Sequence, residues 1–238
     1  MRISMLQLLA LASLALTCGR GALAQAPPTI DAELRKYGIV ATQPSLRSAL
    51  RDERPNVRGL AAGQLASMND TASIPLIENA LQIEKDSMIR FDFASALLSL
   101  HSQVGNKTLL SICADKSLSQ EHRLDAASRL VDAGDPGCLS SVGTILRQAS
   151  DSANKASALL ILTRVKPIPV SLLPEIHNSL RASLRDPDSA VRQYSSQCIA
   201  ALGDKSAKPD LQAAIAKEPD KLTRQRMEES LQALEATR

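Results

Sequence analysis

Residues 185–192 read Arg185-Asp186-Pro187-Asp188-Ser189-Ala190-Val191-Arg192, and residues 51–58 read Arg51-Asp52-Glu53-Arg54-Pro55-Asn56-Val57-Arg58. Each is a polar turn that ends in a Val-Arg pair. Proline stops the helix before the turn, and Asp or Asn accepts hydrogen bonds from the free amides of the helix after it. Working outward from these two copies, the basic residue recurs as Arg58, Arg90, Arg123, Lys155, Arg192 and Arg224, at steps of 32, 33, 32, 37 and 32. Seven residues after each stands an aliphatic side chain: Leu65, Leu97, Leu130, Leu162, Ile199 and Leu231. Three and ten residues after the basic anchor the pattern is also apolar almost throughout, and offsets 3, 7 and 10 share one side of a helix at 100° per residue. A fixed period in the thirties with two helices per unit predicts an all-α fold, a solenoid of about six two-helix repeats over residues 44–238.

The first helices are expected near residues 45–52, 73–84, 107–115, 139–149, 171–185 and 207–217, and the second helices near 57–68, 87–100, 121–133, 152–165, 189–202 and 221–235. Each first helix carries an aliphatic or Ala residue eight or nine places before the anchor: Leu50, Leu81, Ala114, Leu146, Leu184 and Ile215. Ile30 to Tyr37 predicts a short capping helix stopped by Gly38, within a leader and cap spanning 25–43. The 37-residue step holds Pro167, Pro169 and Pro174, which stiffen a longer connection over 166–174.

Bulk composition agrees with this architecture. The chain has 238 residues, 44% hydrophobic and 2% aromatic, so its core is aliphatic. Removal of residues 1–24 takes away Arg2 and Arg20, leaving 26 basic against 25 acidic residues. No basic field favours nucleic acid.

The amino terminus reads as an export signal. Arg2 is followed by 13 apolar-rich residues from Met5 to Thr17, and Ala22-Leu23-Ala24 offers a cleavage site before Gln25. The stretch is short for a bilayer span, which needs about 20 apolar residues. The expected product is a periplasmic or secreted protein without a membrane span. Cys18 raises lipid anchoring as a rival, although Leu16 and Thr17 fit the residues wanted before a lipidated cysteine poorly. The remaining cysteines, Cys113, Cys138 and Cys198, are odd in number and lack short paired spacing, so all three read as small buried residues rather than a disulfide framework.

The Asp-Pro turn, the Val-Arg pair, the Ala pairs and the closing Ala200-Ala201-Leu202-Gly203 resemble the HEAT family, in particular the short HEAT-like repeats of the bilin-lyase type. Units one and five carry the pattern most fully. Unit four departs from it, with Asn154-Lys155 in place of Val-Arg. The resemblance implies a right-handed superhelix with second helices lining the concave face, and protein binding far more often than catalysis.

The regular anchors are expected to pair with turn acids of neighbouring units rather than with a ligand. A binding stripe is expected at offsets 2, 5, 6 and 9 of the second helices, away from the core. Its leading residues are Asp92, Asp125, Arg129, Asp132, Arg164, Tyr194 and Arg226. The partner is expected to be another protein, bound by a monomer. No catalytic, cofactor or metal residues are assigned. His101, His122 and His177 belong to no ligand motif, and there is no Gly-rich phosphate loop or Gly-x-Ser-x-Gly elbow. The competing expectation is a lyase-like or accessory enzyme subunit with its site in the concave groove.

Overall fold

The structure, a computed structural model, describes residues 29–165 and 167–236. The expected signal at 1–24, with Cys18, lies outside the described residues. Among those residues the fold is all-α, with thirteen α-helices, three short 3-10 turns and no strands. The chain divides into two compact units at Gly105 and Asn106.

The first unit holds the capping helix α1 (Ile30–Lys36) and two repeats, α2 (Gln43–Ala49) with α3 (Pro55–Ser67) and α4 (Ile74–Ile83) with α5 (Ser87–Ser99). Hydroxyl and carboxylate side chains start these helices. Thr29 accepts from the Ala32 amide at 3.2 Å, Thr42 from Ser45 at 3.4 Å, and Asp86 from Met88 at 2.9 Å. Pro55 occupies the first turn of α3, where its missing N–H costs nothing. The cap α1 docks through Leu34, which is fully buried, and through Tyr37, whose hydroxyl accepts from Asn56 at 2.7 Å while Arg54 lies over its ring. The core is Leu46, Val57, Ala61, Leu65, Ile77, Phe93 and Leu97, all fully buried. Offsets 3 and 7 from the anchor are therefore core positions, as the periodicity requires.

The second unit holds four repeats: α6 (Gln103–Ala114) with α7 (Gln120–Asp132), α8 (Leu139–Gln148) with α9 (Ser152–Arg164), α10 (Leu173–Ser183) with α11 (Ser189–Leu202), and α12 (Lys208–Lys217) with α13 (Lys221–Ala236). The first three residues of helix α6 precede the unit boundary. Ala126, Leu130, Ala158, Leu162, Ser195, Ile199 and Met227 fill the same offsets, and the Ser195 hydroxyl is satisfied by the Leu180 carbonyl at 2.6 Å. Where offset 3 is small, at Ala61, Ala126, Ala158 and Ser195, the helices pack closely without large side chains. Two local expectations need correction. Met68 and Ala133, at offset 10, are exposed where Leu100, Val165 and Leu234 are covered. In the third repeat the buried position of the first helix falls at Cys113, and Ala114 faces solvent.

Four of the second helices end in the same way. One or two residues past the last helical residue of α3, α5, α7 and α11 the chain turns left-handed, at Asn69, His101, Gly134 and Gly203, with φ of 52°, 64°, 82° and 68°. In each case the next amide bonds back to a carbonyl one turn inside the helix, for example Asp70 N–H to Leu65 O at 3.0 Å and Asp204 N–H to Ile199 O at 3.2 Å. These are Schellman closures, which satisfy carbonyls that the helix end would leave open. The proline-rich connection after α9 forms the 3-10 turn Val170–Leu172, with Ile168 buried and Val170 exposed.

Candidate protein-binding stripe on the second helices

The basic anchors hold the repeats together. Arg58 donates to the carbonyls of Asp52 and Glu53, in the turn after its own first helix, and to the Glu84 carboxylate of the next repeat at 2.7 Å. Arg192 repeats the arrangement on Asp186 O, Pro187 O and Glu218. Glu84 and Glu218 each also offer their main-chain carbonyl to the following anchor, Arg90 and Arg224. Lys155 reaches Asp186 at 2.7 Å. The expected pairing of anchors with neighbouring turn acids therefore holds at Arg58, Lys155 and Arg192. Arg90, Arg123 and Arg224 bond carbonyls instead.

A second set of ties was not anticipated. Arg47 pairs with Asp70 through two bonds of 2.8 and 2.6 Å, and Arg181 pairs with Asp204, 23 residues on in both cases. Asp70 and Asp204 are the residues that follow the left-handed closure, so one position both ends a second helix and receives the arginine of the preceding first helix. His177 and Ser206 complete the shell around Asp204. Burial alone would raise the Asp204 carboxyl, but the Ser206 hydroxyl and the Arg181 guanidinium outweigh it and hold the group below its ordinary value.

Cys113 and Cys138 form a disulfide across a Cα–Cα distance of 6.2 Å, with both residues nearly inaccessible. This corrects the reading of all three cysteines as unlinked. The bridge joins the last turn of α6 to the residue that caps α8, the first helices of consecutive repeats. Among the described residues Cys198 is the free cysteine, and burial pushes its thiol up to about 12.

With these groups occupied in packing, the stripe is narrower than a helical wheel suggests. Neighbouring second helices lie side by side within each unit, and at several positions of offsets 2 and 5 the adjacent helix partly covers the side chain. In the first unit Asp92 is half-buried, and its carboxylate lies so close to Gly59 that a Cβ there would meet it at 2.3 Å. In the second unit Asp125 and Tyr194 are half-buried and Ser128 is buried. Burial first, and the Glu121 charge second, push Asp125 up to about 6 against the opposing pull of Arg129. The exposed members are Arg129, Asp132, Arg164 and Arg226.

The structure brings Asp132 and Arg164 together. Arg164 of α9 donates to Asp132 Oδ1 at 2.6 Å and to Ser128 Oγ at 2.8 Å, both on α7. The guanidinium thereby spans two repeats, with Arg129 and Asp125 on the same helix as its acceptors. Arg226 pairs within its own helix with Glu229 at 2.9 Å and does not join this group. Chemically the patch offers charges of both signs and no nucleophile with a poised base. Among the described residues no group of three or more His, Cys, Asp or Glu side chains is placed to hold a metal ion. Among the same residues no helix is long and apolar enough to cross a membrane. On the first-helix side of the first unit an open cleft of about 1470 Å³ runs past Leu76, Asn79, Ile83 and Lys85, a feature that sequence periodicity does not reveal.

Two-helix units with arginine-bonded turns, repeated at a period in the thirties, define an α-solenoid. The chain belongs to the HEAT-repeat family, whose model matches residues 43–130 and 139–232. Among curated proteins none matches the sequence significantly. Among solved structures, a designed armadillo repeat protein is similar at 14% identity, with a TM-score of 0.52, over 81% of this chain and all of that one. Human deoxyhypusine hydroxylase in complex with glycerol is similar at 16% identity and a TM-score of 0.43, over 86% of this chain and 88% of that one. The complex of CpcE and CpcF of phycocyanin lyase from a Nostoc species is similar at 15% identity and a TM-score of 0.37, over 92% of this chain and 99% of that one.

Proposed function

We propose that this HEAT-repeat chain is exported and works as a non-catalytic scaffold that binds another protein of the cell envelope or the extracellular space. The observation that carries the reading is the exposed, mixed-charge patch of Arg129, Asp132 and Arg164, which is ordered before any partner arrives by the Arg164 bridge to Asp132 and Ser128. A patch whose side chains are already held loses less conformational freedom on binding, and arginines near its centre are the residues most often rich in binding energy. The half-buried Tyr194 adds an aromatic anchor on α11. Export is supported by the amino-terminal segment, with its apolar run and Ala22-Leu23-Ala24 site, and by a buried cystine, a pairing that persists in oxidising compartments.

The test is photo-crosslinking in the native host from a probe placed at position 129 or at 226, with position 148 on a first helix as the comparison. The scaffold reading expects one discrete adduct with a second protein from the second-helix positions and none from position 148. Equal labelling from all three, or no protein adduct, removes the stripe as a binding surface. Fractionation of the same cells tests export separately. The mature chain, starting near Gln25, is expected in the periplasmic or secreted fraction.

A further inference from the structure

We propose that the Cys113–Cys138 disulfide replaces a missing anchor-to-acid pair at the junction of the third and fourth repeats, making that junction alone dependent on oxidation. At two other junctions the anchor reaches an acid 26 residues ahead, Arg58 to Glu84 and Arg192 to Glu218. These two acids occupy the same structural position, the extended cap after a first helix, at φ −69°, ψ 131° and φ −69°, ψ 116°. Counting 26 from Arg123 arrives at Ala149. Ala149 is the cap of α8, with φ −62° and ψ 132°, and is buried. Its backbone therefore reproduces the acid's position, and the methyl side chain offers Arg123 nothing to bond.

Arg123 is itself 8% exposed, and its Nε donates at 3.0 Å to the carbonyl of Cys113. The residue that accepts this anchor is thus the one covalently joined to the fourth repeat. Other side-chain bonds cross the same junction, Asn106 to Asp135 at 2.7 Å, Asn154 to Gln120 at 3.4 Å, and Arg164 to Asp132 and Ser128. None reaches the extended cap after a first helix where Glu84 and Glu218 sit. The cystine is covered, with Cys113 and Cys138 at 1% and 2% exposure.

The redox step is ordinary thiol–disulfide exchange with a dithiol. Its thiolate attacks one sulfur, the S–S bond breaks, and the second thiol of the reductant then displaces the other cysteine. Two thiols form on the protein as the reductant becomes a disulfide, with two electrons and two protons transferred to the cystine. Cys198 takes no part because its thiol is buried and stays protonated at neutral pH.

The test is hydrogen exchange of the full mature chain, followed by peptide mass spectrometry, in the oxidised form and after dithiothreitol. Reduction is expected to speed exchange in 106–114 and 139–148 by about tenfold to a hundredfold, while 189–202 and 221–235 change little. Ala149→Glu, introduced into the otherwise native chain, is expected to return at least about tenfold of that lost protection under dithiothreitol, since it restores the acid that Arg123 lacks. Cys198→Ser should respond to the reductant as the native chain does. Exchange that rises evenly along the chain, unchanged exchange on reduction, or a reduced Ala149→Glu chain no better protected than the native one would each overturn the proposal. Because the native chain carries the reduction arm, the result does not depend on a cysteine-free variant folding.

Discussion

Arg192 and Glu218 form a paired contact between consecutive repeats, with Nε and Nη2 donating to the two carboxylate oxygens at 2.6 and 2.7 Å and the Glu218 side chain wholly buried. The same guanidinium also fastens the turn between α10 and α11 through the Asp186 and Pro187 carbonyls. One residue thus holds the turn of its own repeat and tethers the next repeat. Truncating the acid leaves a largely buried cation without its counter-charge. Glu218→Ala is expected to destabilise the chain by about 3 kcal/mol, measured by chemical denaturation. Glu235→Ala, which breaks the exposed pair with Lys208, is expected to cost under about 1 kcal/mol. Equal losses from the two variants would deny the buried pair its role.

Acid should separate two kinds of carboxylate. The Arg192 guanidinium, helped by the Asp220 amide, holds Glu218 below its ordinary value of 4.5. A depressed native pKa contributes stability that is present above the unfolded value and lost as pH falls through the native one. Unfolding midpoints are therefore expected to drop as the solution is taken below about pH 4.5, with a smaller drop in Glu218→Gln.

Asp125 has the opposite sign. Its pKa is raised from 3.8 to about 6, so its contribution is full below 3.8 and is lost as pH rises through 6. At pH 7 the half-buried charge opposes folding. Asp125→Asn is expected to stabilise the chain by about 1–2 kcal/mol at pH 7, where solvent screens part of the half-buried charge, and to have little effect at pH 3. A variant whose gain did not change between those two pH values would show that Asp125 is not perturbed in this way.

Among the described residues, two of the five left-handed helix closures use residues with a Cβ, Asn69 and His101, where the others use Gly38, Gly134 and Gly203. Asparagine tolerates this conformation better than histidine does. His101→Gly is expected to raise stability by about 0.5–1 kcal/mol, and Gly203→Ala to lower it by about 1 kcal/mol. Thermal unfolding of the pair checks both signs.

Gly105 serves close approach instead of unusual dihedrals. A Cβ there would stand 2.4 Å from the Leu98 amide nitrogen and 2.7 Å from the Ala94 carbonyl, both main-chain atoms of α5. Backbone cannot swing aside as a side chain can. Gly105→Ala is expected to cost about 1–3 kcal/mol. Gly59→Ala should be milder, because the obstruction is the movable end of Asp92.

The repeat architecture was legible because each anchor, turn and core position recurs at one spacing, which left the helix boundaries within a few residues of those observed. The anchors' structural role was legible for the same reason at Arg58, Lys155 and Arg192, whereas the carbonyl partners of Arg90, Arg123 and Arg224 leave no mark in the side-chain pattern. What the sequence did not disclose depends on the distance between helices. Nothing in the 25-residue separation of Cys113 and Cys138 announces a bridge, because α7 lies between them in sequence but not in space. The Arg47–Asp70 and Arg181–Asp204 ties were detectable as a recurring offset of 23 residues, but only two copies exist. A helical wheel places Ser128 and Asp125 away from the core yet takes no account of the adjoining second helix that covers them. The stripe shrank accordingly to Arg129, Asp132 and Arg164, with Arg226 apart from them.

The central claim is that this scaffold binds a protein through its second helices. The most direct measurement is quantitative affinity capture of tagged 25–238 from envelope or extracellular extract, beside a folded Arg129→Ala/Asp132→Ala/Arg164→Ala chain, with partners counted by mass spectrometry. The account predicts one partner recovered at near-equal amounts with the native chain and reduced at least about tenfold with the variant, the loss expected when an arginine hot spot is removed. Capture of the same protein at equal yield by both chains, or of no protein by either, would contradict it.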